Sequence, residues 1–273
     1  MVNNLRHFLP PYLTTPNKEI RCLLVGAGGN GGPMITGLAR MNAALNAIGH
    51  AGISLDVADC DFVAPENIGR QLFSVADIGR NKAECLVTRV NMFFGLDWRA
   101  FPVKFVHEHI KTIKPSEYKI IIAAVDNVLA REIVHLAAKE SIAYYLDLGN
   151  SRDSGQVILG TGTRIAQPKK TVDCITYLPT VLDLYPNMRD AERESYQGPS
   201  CSMAEALKKQ DLFINTAVST FALDLLWKGL KNGYLTHHGA FINLSSYRVN
   251  PLPINPEVWR QMGFKIKAMK EAA

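Results

Sequence analysis

The chain has 273 residues, 47% hydrophobic and 20% charged, with a formal net charge of +5. This is the composition of an ordinary globular protein, long enough for one large α/β domain or two small ones, and it excludes a disordered or fibrous chain. The charge is mild, and the doublets Lys169-Lys170 and Lys208-Lys209 are too short for a nucleic-acid groove, so no nucleic-acid partner is expected. No segment approaches about 18 consecutive apolar residues, and MVNNLRHFLPPYLTTP at the start lacks the apolar run of a signal peptide. A cytoplasmic protein without a membrane partner is expected. The cysteines at 22, 60, 85, 174 and 201 form no CxxC pair, which argues against a disulfide framework. Cys22, Cys60 and Cys85 sit in apolar surroundings and read as small core residues.

IRCLLVGA (residues 20–27) is an apolar run stopping at glycine, hence a buried strand. GAGGNGG follows, then an apolar-periodic helix over residues 33–47, with Pro33 in the first turn. ISLDVADCD (53–61) reads as a second strand, and IGRNKAECLVTRVNMFF (78–94) as a helix with apolar steps of three and four. WRAFPVKFV (98–106) and KIIIAAV (119–125) read as the third and fourth strands, the latter buried on both faces. VLAREIVHLAAKE is helical, and AYYLDL and GQVILGT are two more strands. From residue 164 to 202 prolines break a polar, charge-rich run, which predicts a long loop. An amphipathic helix (211–230), a hairpin within GAFINLSSYRVNPLPI and a short helix around 257–269 complete the chain.

Strands alternating with helices predict α/β architecture: a Rossmann-like, doubly wound, mostly parallel sheet. An antiparallel strand region at the C-terminus and a long crossover loop are added to it. The expected segments are an N-terminal piece (1–19), a nucleotide-binding core (20–163), the crossover loop (164–205) and a C-terminal helix and strand region (206–273) completing the same domain. Ligands in such sheets lie beyond the carboxyl ends of the strands, where Gly26 to Gly32, Asp59, Asp61, Asp126 and Asn127 all fall.

PENIGRQLFSVADIGRNKAE (65–84) is too polar to be core and too rich in special residues to be idle loop. G-x-G-x-x-G alone also fits a dinucleotide-binding turn. A ribose-binding acid in that fold lies about 20 residues past the first glycine, whereas Asp59 lies 33 past Gly26. Arg70 and Lys82 point elsewhere. When a carboxylate attacks the α-phosphate of ATP, charge builds on phosphoryl oxygens, and preorganised cations lower that barrier. Mg²⁺ sharing the load needs a carboxylate, for which Asp126 at the end of the fourth strand is the candidate. Taken singly, each of the three reads more readily as half of a surface ion pair.

VGAGGNGG, DCDFVAPENIGRQ, DIGRNKAE, VDNVLAR and GPSC occur in this order. Together they resemble the glycine turn, D-x-D…N-x-x-R-Q, D-x-G-x-x-K, D-N-x-x-x-R and Pro-x-Cys motifs of the ThiF/MoeB/HesA family, bacterial relatives of ubiquitin-activating enzymes. The resemblance implies an adenylyltransferase that uses ATP and Mg²⁺ to activate the C-terminal carboxylate of a small ubiquitin-like protein ending in glycine. It implies a nucleotide turn at Gly26, Gly28, Gly29 and Gly31 and a ribose-binding Asp59 with Asp61 beside it. Phosphate contacts fall to Asn67, Arg70, Gln71 and Lys82, Mg²⁺ to Asp126, and Asn127 flanks the nucleotide. It also implies a homodimer and makes Cys201 a candidate thioester acceptor; a cysteine opening a helix favours its thiolate. Arg6 matches the family's borrowed N-terminal arginine poorly.

Many relatives bind Zn²⁺ through two CxxC pairs. Here Tyr177 stands where the second cysteine would follow Cys174, and no cysteine follows Cys201. No structural zinc is therefore expected, since the tetrahedral site needs four ligands; His237-His238 read as structural. Without zinc the crossover loop is expected to be mobile. Among zinc-free variants the chain looks most like the ThiF-family protein of the PRTRC cassette. The competing functions are a non-catalytic ATP-binding dimeric scaffold, a tRNA-modifying relative and, least consistent with Arg70 and Lys82, an NAD-dependent oxidoreductase.

Overall fold

The computed structural model describes residues 5–106, 113–141, 143–168, 173–188 and 210–264. A two-residue strand, β1 (His7–Phe8), and one turn of helix, α1 (Pro11–Thr14), lead into β2 (Ile20–Val25). Then come α2 (Gly31–Ala47), β3 (Ile53–Ala58), α3 (Lys82–Phe94), β4 (Arg99–Phe101) and β5 (Ile120–Ala123). α4 (Val128–Ser141), β6 (Tyr144–Asn150), β7 (Ser154–Thr161) and α5 (Val181–Leu184) follow. The chain closes through α6 (Ile214–Asn232), β8 (Tyr234–Leu235), β9 (His237–Asn243), β10 (Arg248–Pro253) and α7 (Pro256–Gln261).

Eight strands form one sheet in the order β10-β9-β7-β6-β5-β2-β3-β4, and β1 pairs with β8 in a small second sheet. β6, β5, β2, β3 and β4 run parallel, while β7, β9 and β10 extend the sheet antiparallel. The expected Rossmann-like architecture with its antiparallel addition is therefore present. β5 is IIIA, buried throughout, as the centre of a sheet covered on both faces demands. Burying each such isoleucine stabilises the fold by about 1.5–3 kcal/mol.

Several elements are shorter than the periodicity predicts, among them the fourth strand, Ile120–Ala123, and the terminal helix, which ends at Gln261. The third strand stops at Phe101 because Pro102 has no N–H for the ladder. The helix expected from residue 78 begins at Lys82, since Asn81 caps it by accepting from Glu84 N (3.1 Å); Gly95 ends it at φ +67°. The second strand stops at Ala58, so Cys60 lies past the sheet and is exposed, not core; Cys22 and Cys85 are buried as expected. α6 uses its apolar face for the core, packing against the sheet and α2, where Gly37 admits Leu223 at a distance no side chain would allow. Among the described residues no helix is long and apolar enough to cross a membrane.

Candidate active site

β2, β3 and β5 end at one edge of the sheet, and α2, α3 and α4 all begin there. Helix N-termini carry free N–H groups and partial positive charge, so three of them together favour an anion. The first is entered through the glycine turn. Gly26 leaves β2 at φ +97°, with Ala124 O only 2.5 Å from where a Cβ would stand. A Cβ on Gly31, the first residue of α2, would meet Gly26 O at 2.0 Å. Only glycine closes the turn this tightly.

Asp59, just past β3, accepts from Ala27 N (2.6 Å) and Asp61 N (2.8 Å). Burial pushes its carboxyl above the usual range, and the two N–H groups partly oppose that. Lys82 is the first residue of α3 and only 9% exposed; its Nζ lies 3.1 Å from Asp61 Oδ2, while Asp61 is largely exposed. A cation at a helix N-terminus opposes the helix dipole, so the placement is tolerable only where anions gather. Asn81, which sequence reasoning passed over, holds this corner by donating to Asp59 O (2.9 Å) and Asp61 O (3.1 Å).

Arg70 and Gln71 lie on the other flank of the turn. Arg70 Nη1 donates to Gln210 Oε1, while its Nε is buried without a partner among the described residues. Burial lowers its pKa, against the pull of Glu66. Gln71 reaches Gly28, its amide 3.9 Å from an imagined Cβ there, and its Oε1 is likewise buried and unpartnered. Asn67 is buried and accepts from Ala64 N (2.9 Å), shaping the loop that presents Arg70.

Asp126 and Asn127 are exposed beyond β5. Asn127 caps α4 through Ala130 N (2.8 Å) and donates to Asp126 Oδ1 (3.2 Å). Behind them Arg131 pairs with fully buried Asp147 and donates to Val125 O (3.0 Å), pinning the loop that carries Asp126. Its place in D-N-x-x-x-R was visible in the sequence; its role was not. Asp126 and Arg131 stand at one end of a cleft of about 490 Å³ running over β6, β7, β9 and β10. Asn150, Gln156, Asn243 and Asn250 give it a neutral, amide-rich lining, with Met188 and Phe241 as apolar patches.

Cys201 lies outside the described residues, as do residues 169–172 and 189–205 of the crossover loop. Residues 173–188 are tied down: Ile175 N donates to Arg6 O (2.9 Å) and Thr161 N to Leu178 O (2.9 Å). Arg6 stacks its guanidinium over Tyr234 of its own chain, 4.9 Å from the ring centre. Tyr177 donates to Asp183 (2.6 Å) and stacks on Phe264 (6.2 Å). His238 is buried, bonded to Leu159 O (2.9 Å) and edge-on to Trp259 (5.1 Å). Among the described residues, groups with metal-ligand chemistry converge only at Asp59, Cys60 and Asp61.

Sheet order, glycine turn and the cationic rim around it define a nucleotide-binding α/β protein. The sequence matches the ThiF family over residues 14–255, and the chain belongs to that family. Two similar solved structures are selenomethionine-substituted PaaA and E. coli MccB with ATP. PaaA is 16% identical with a TM-score of 0.60, over 86% of this chain and 73% of PaaA. MccB is 16% identical with a TM-score of 0.59, over 87% of this chain and 64% of MccB. At these identities the likeness is one of fold. No curated protein matches the sequence.

Proposed function

We propose that the protein is an ATP-dependent adenylyltransferase that activates the C-terminal carboxylate of a small ubiquitin-like protein. The observation that carries this reading is the Arg70 Nε donor, buried beside the glycine turn with no acceptor among the described residues. A buried donor without a partner is costly, and a phosphoryl oxygen on the turn would relieve it. Lys82, at the start of α3, supplies a second cation to the same edge.

A carboxylate oxygen attacks the α-phosphorus, the bond to the α–β bridging oxygen breaks, and pyrophosphate leaves with that electron pair. The attacking carboxylate has no proton to lose, so the rim needs cations and amides rather than a general base. Arg70 and Lys82 steady the phosphoryl oxygens as charge builds on them. Asp59 retains acceptor capacity for ribose hydroxyls. Asp126, exposed and oxygen-bearing, suits a hard cation; bound Mg²⁺ would neutralise phosphate charge there. The cleft lined by Asp126 suits an extended chain with uncharged side chains leading to the attacking carboxylate, because the amides of Asn150, Gln156, Asn243 and Asn250 match backbone N–H and C=O groups. A homodimer and acyl transfer to Cys201 complete the reading.

Pyrophosphate exchange tests it. Exchange should require a small protein partner ending in glycine, the first candidate being the product of a neighbouring short gene ending in Gly-Gly, and should fail with Lys82→Ala. Tight ATP binding with no exchange for any such partner would favour the non-catalytic scaffold. Partner-dependent exchange surviving in Cys201→Ala, with loss of a thiol-sensitive covalent adduct, separates adenylylation from thioester formation.

A further inference from the structure

Behind the glycine turn lies a second layer of amides. Gln210 Oε1 accepts from Arg70 Nη1 and, at 3.1 Å, from Asn215 Nδ2. Asn215, in the first turn of α6, is 4% exposed; its Nδ2 lies 2.6 Å from where a Cβ on Gly29 would be. One helical turn later Ser219 Oγ donates to Asn30 O (2.9 Å), so α6 is bonded to the glycine turn at Asn30 and packed against it at Gly29. Asp211 N donates to Arg152 O (2.6 Å), which anchors the chain immediately after Gln210. A single amide oxygen thus joins Arg70 to a rigid helix.

That oxygen has two acceptor sites, and both are in use. A guanidinium is planar, so fixing one of its nitrogens restricts where the others point. The choice of a neutral acceptor also matters. A carboxylate at this position would form an ion pair with Arg70 and cancel the charge an incoming anion needs, whereas an amide holds the guanidinium and leaves its charge intact.

We propose that Gln210, itself held by Asn215, is the positioning residue for Arg70. It sets the guanidinium so that Nε presents its proton to the nucleotide phosphate. This rests on the reading of Arg70 as a phosphate-binding residue, and makes that site depend on the start of α6.

The test is Mg-ATP affinity by titration calorimetry on the full chain. The proteins compared are the wild type, Gln210→Ala, Arg70→Ala, the double variant and Gln210→Glu, with melting temperatures alongside. Gln210→Ala should weaken ATP about tenfold and have no further effect once Arg70 is alanine. Gln210→Glu keeps the size and both acceptor sites, so it holds the fold, yet should weaken ATP at least as much. Equal weakening by Gln210→Ala in both backgrounds overturns the proposal, as does unchanged affinity for the two Gln210 variants. In those cases a loss on Arg70→Ala still supports the phosphate reading; no loss on Arg70→Ala removes that reading and the proposal with it.

Discussion

At the carboxyl edge of the parallel strands, Lys82 is placed against a helix dipole, and Arg70 Nε and Gln71 Oε1 are buried without partners. At the opposite edge, His7 donates from Nδ1 to Ile175 O (2.8 Å) and accepts at Nε2 from Tyr144 (2.7 Å). His238, Trp259, Phe264 and Tyr177 form a chain of ring contacts beside it. Burial drives His7 down to about 4 and His238 down to about 3, so both are neutral in the folded protein. One edge keeps charged side chains; the other discards charge and packs ring on ring, with His238 Nε2 and Trp259 Nε1 also buried without partners among the described residues. The first arrangement costs stability unless a ligand arrives, and the second supplies stability without one. The aromatic chain and the His7 contacts anchor residues 173–188 by packing and hydrogen bonding.

If this division holds, damage at one edge should leave the other intact. Trp259→Ala removes a fully buried ring and should cost about 3–5 kcal/mol of stability, read as a large fall in melting temperature with unchanged ATP affinity in the protein that remains folded. Lys82→Ala should do the converse, lowering pyrophosphate exchange on the order of 10²–10³-fold with the melting temperature preserved. A strong fall in melting temperature for Lys82→Ala would show that its main role is the Asp61 ion pair.

Acid should attack the ring-packed edge first. His7 and His238 have folded pKa values below the unfolded value of about 6.5. Below pH 6.5 the unfolded chain therefore binds protons that the folded chain refuses. The stability they contribute is full above that pH and is lost as pH falls toward 4, by roughly 1.4 kcal/mol per unit for each histidine. Denaturant titrations across this window should show His7→Gln losing about one proton's share of the slope. Tyr177→Phe is the smallest change: losing the hydroxyl bond to Asp183 should cost about 1 kcal/mol, measurable as a small shift in denaturant midpoint with exchange activity unaltered.

The order of strands and helices was legible because each element carries its own period and its own stop, as in IIIA of β5 or Gly95 after α3. The position of Gly26, Asp59 and Asp126 at one edge was legible for a related reason: they follow closely on strand ends, and topology sends parallel strand ends to one edge. Cys60 was misread because the pattern did not mark where β3 stops, and two residues of strand length separate a core thiol from an exposed one. Gln210, Asn215 and Ser219 were not legible at all. Their partners, Arg70, Gly29 and Asn30, lie 140 or more residues away in sequence, and an amide has no periodicity to announce it.

Local physics in the amino-acid sequence thus determined the nucleotide-binding class of fold, the glycine turn and the cations beside it, since backbone sterics, hydrophobic period and helix capping act over a few residues. Tertiary structure alone decided which side chains hold those cations in place, and that the far edge is packed with rings. Such contacts depend on segments meeting across the sheet, and their energies exist only once the sheet has formed.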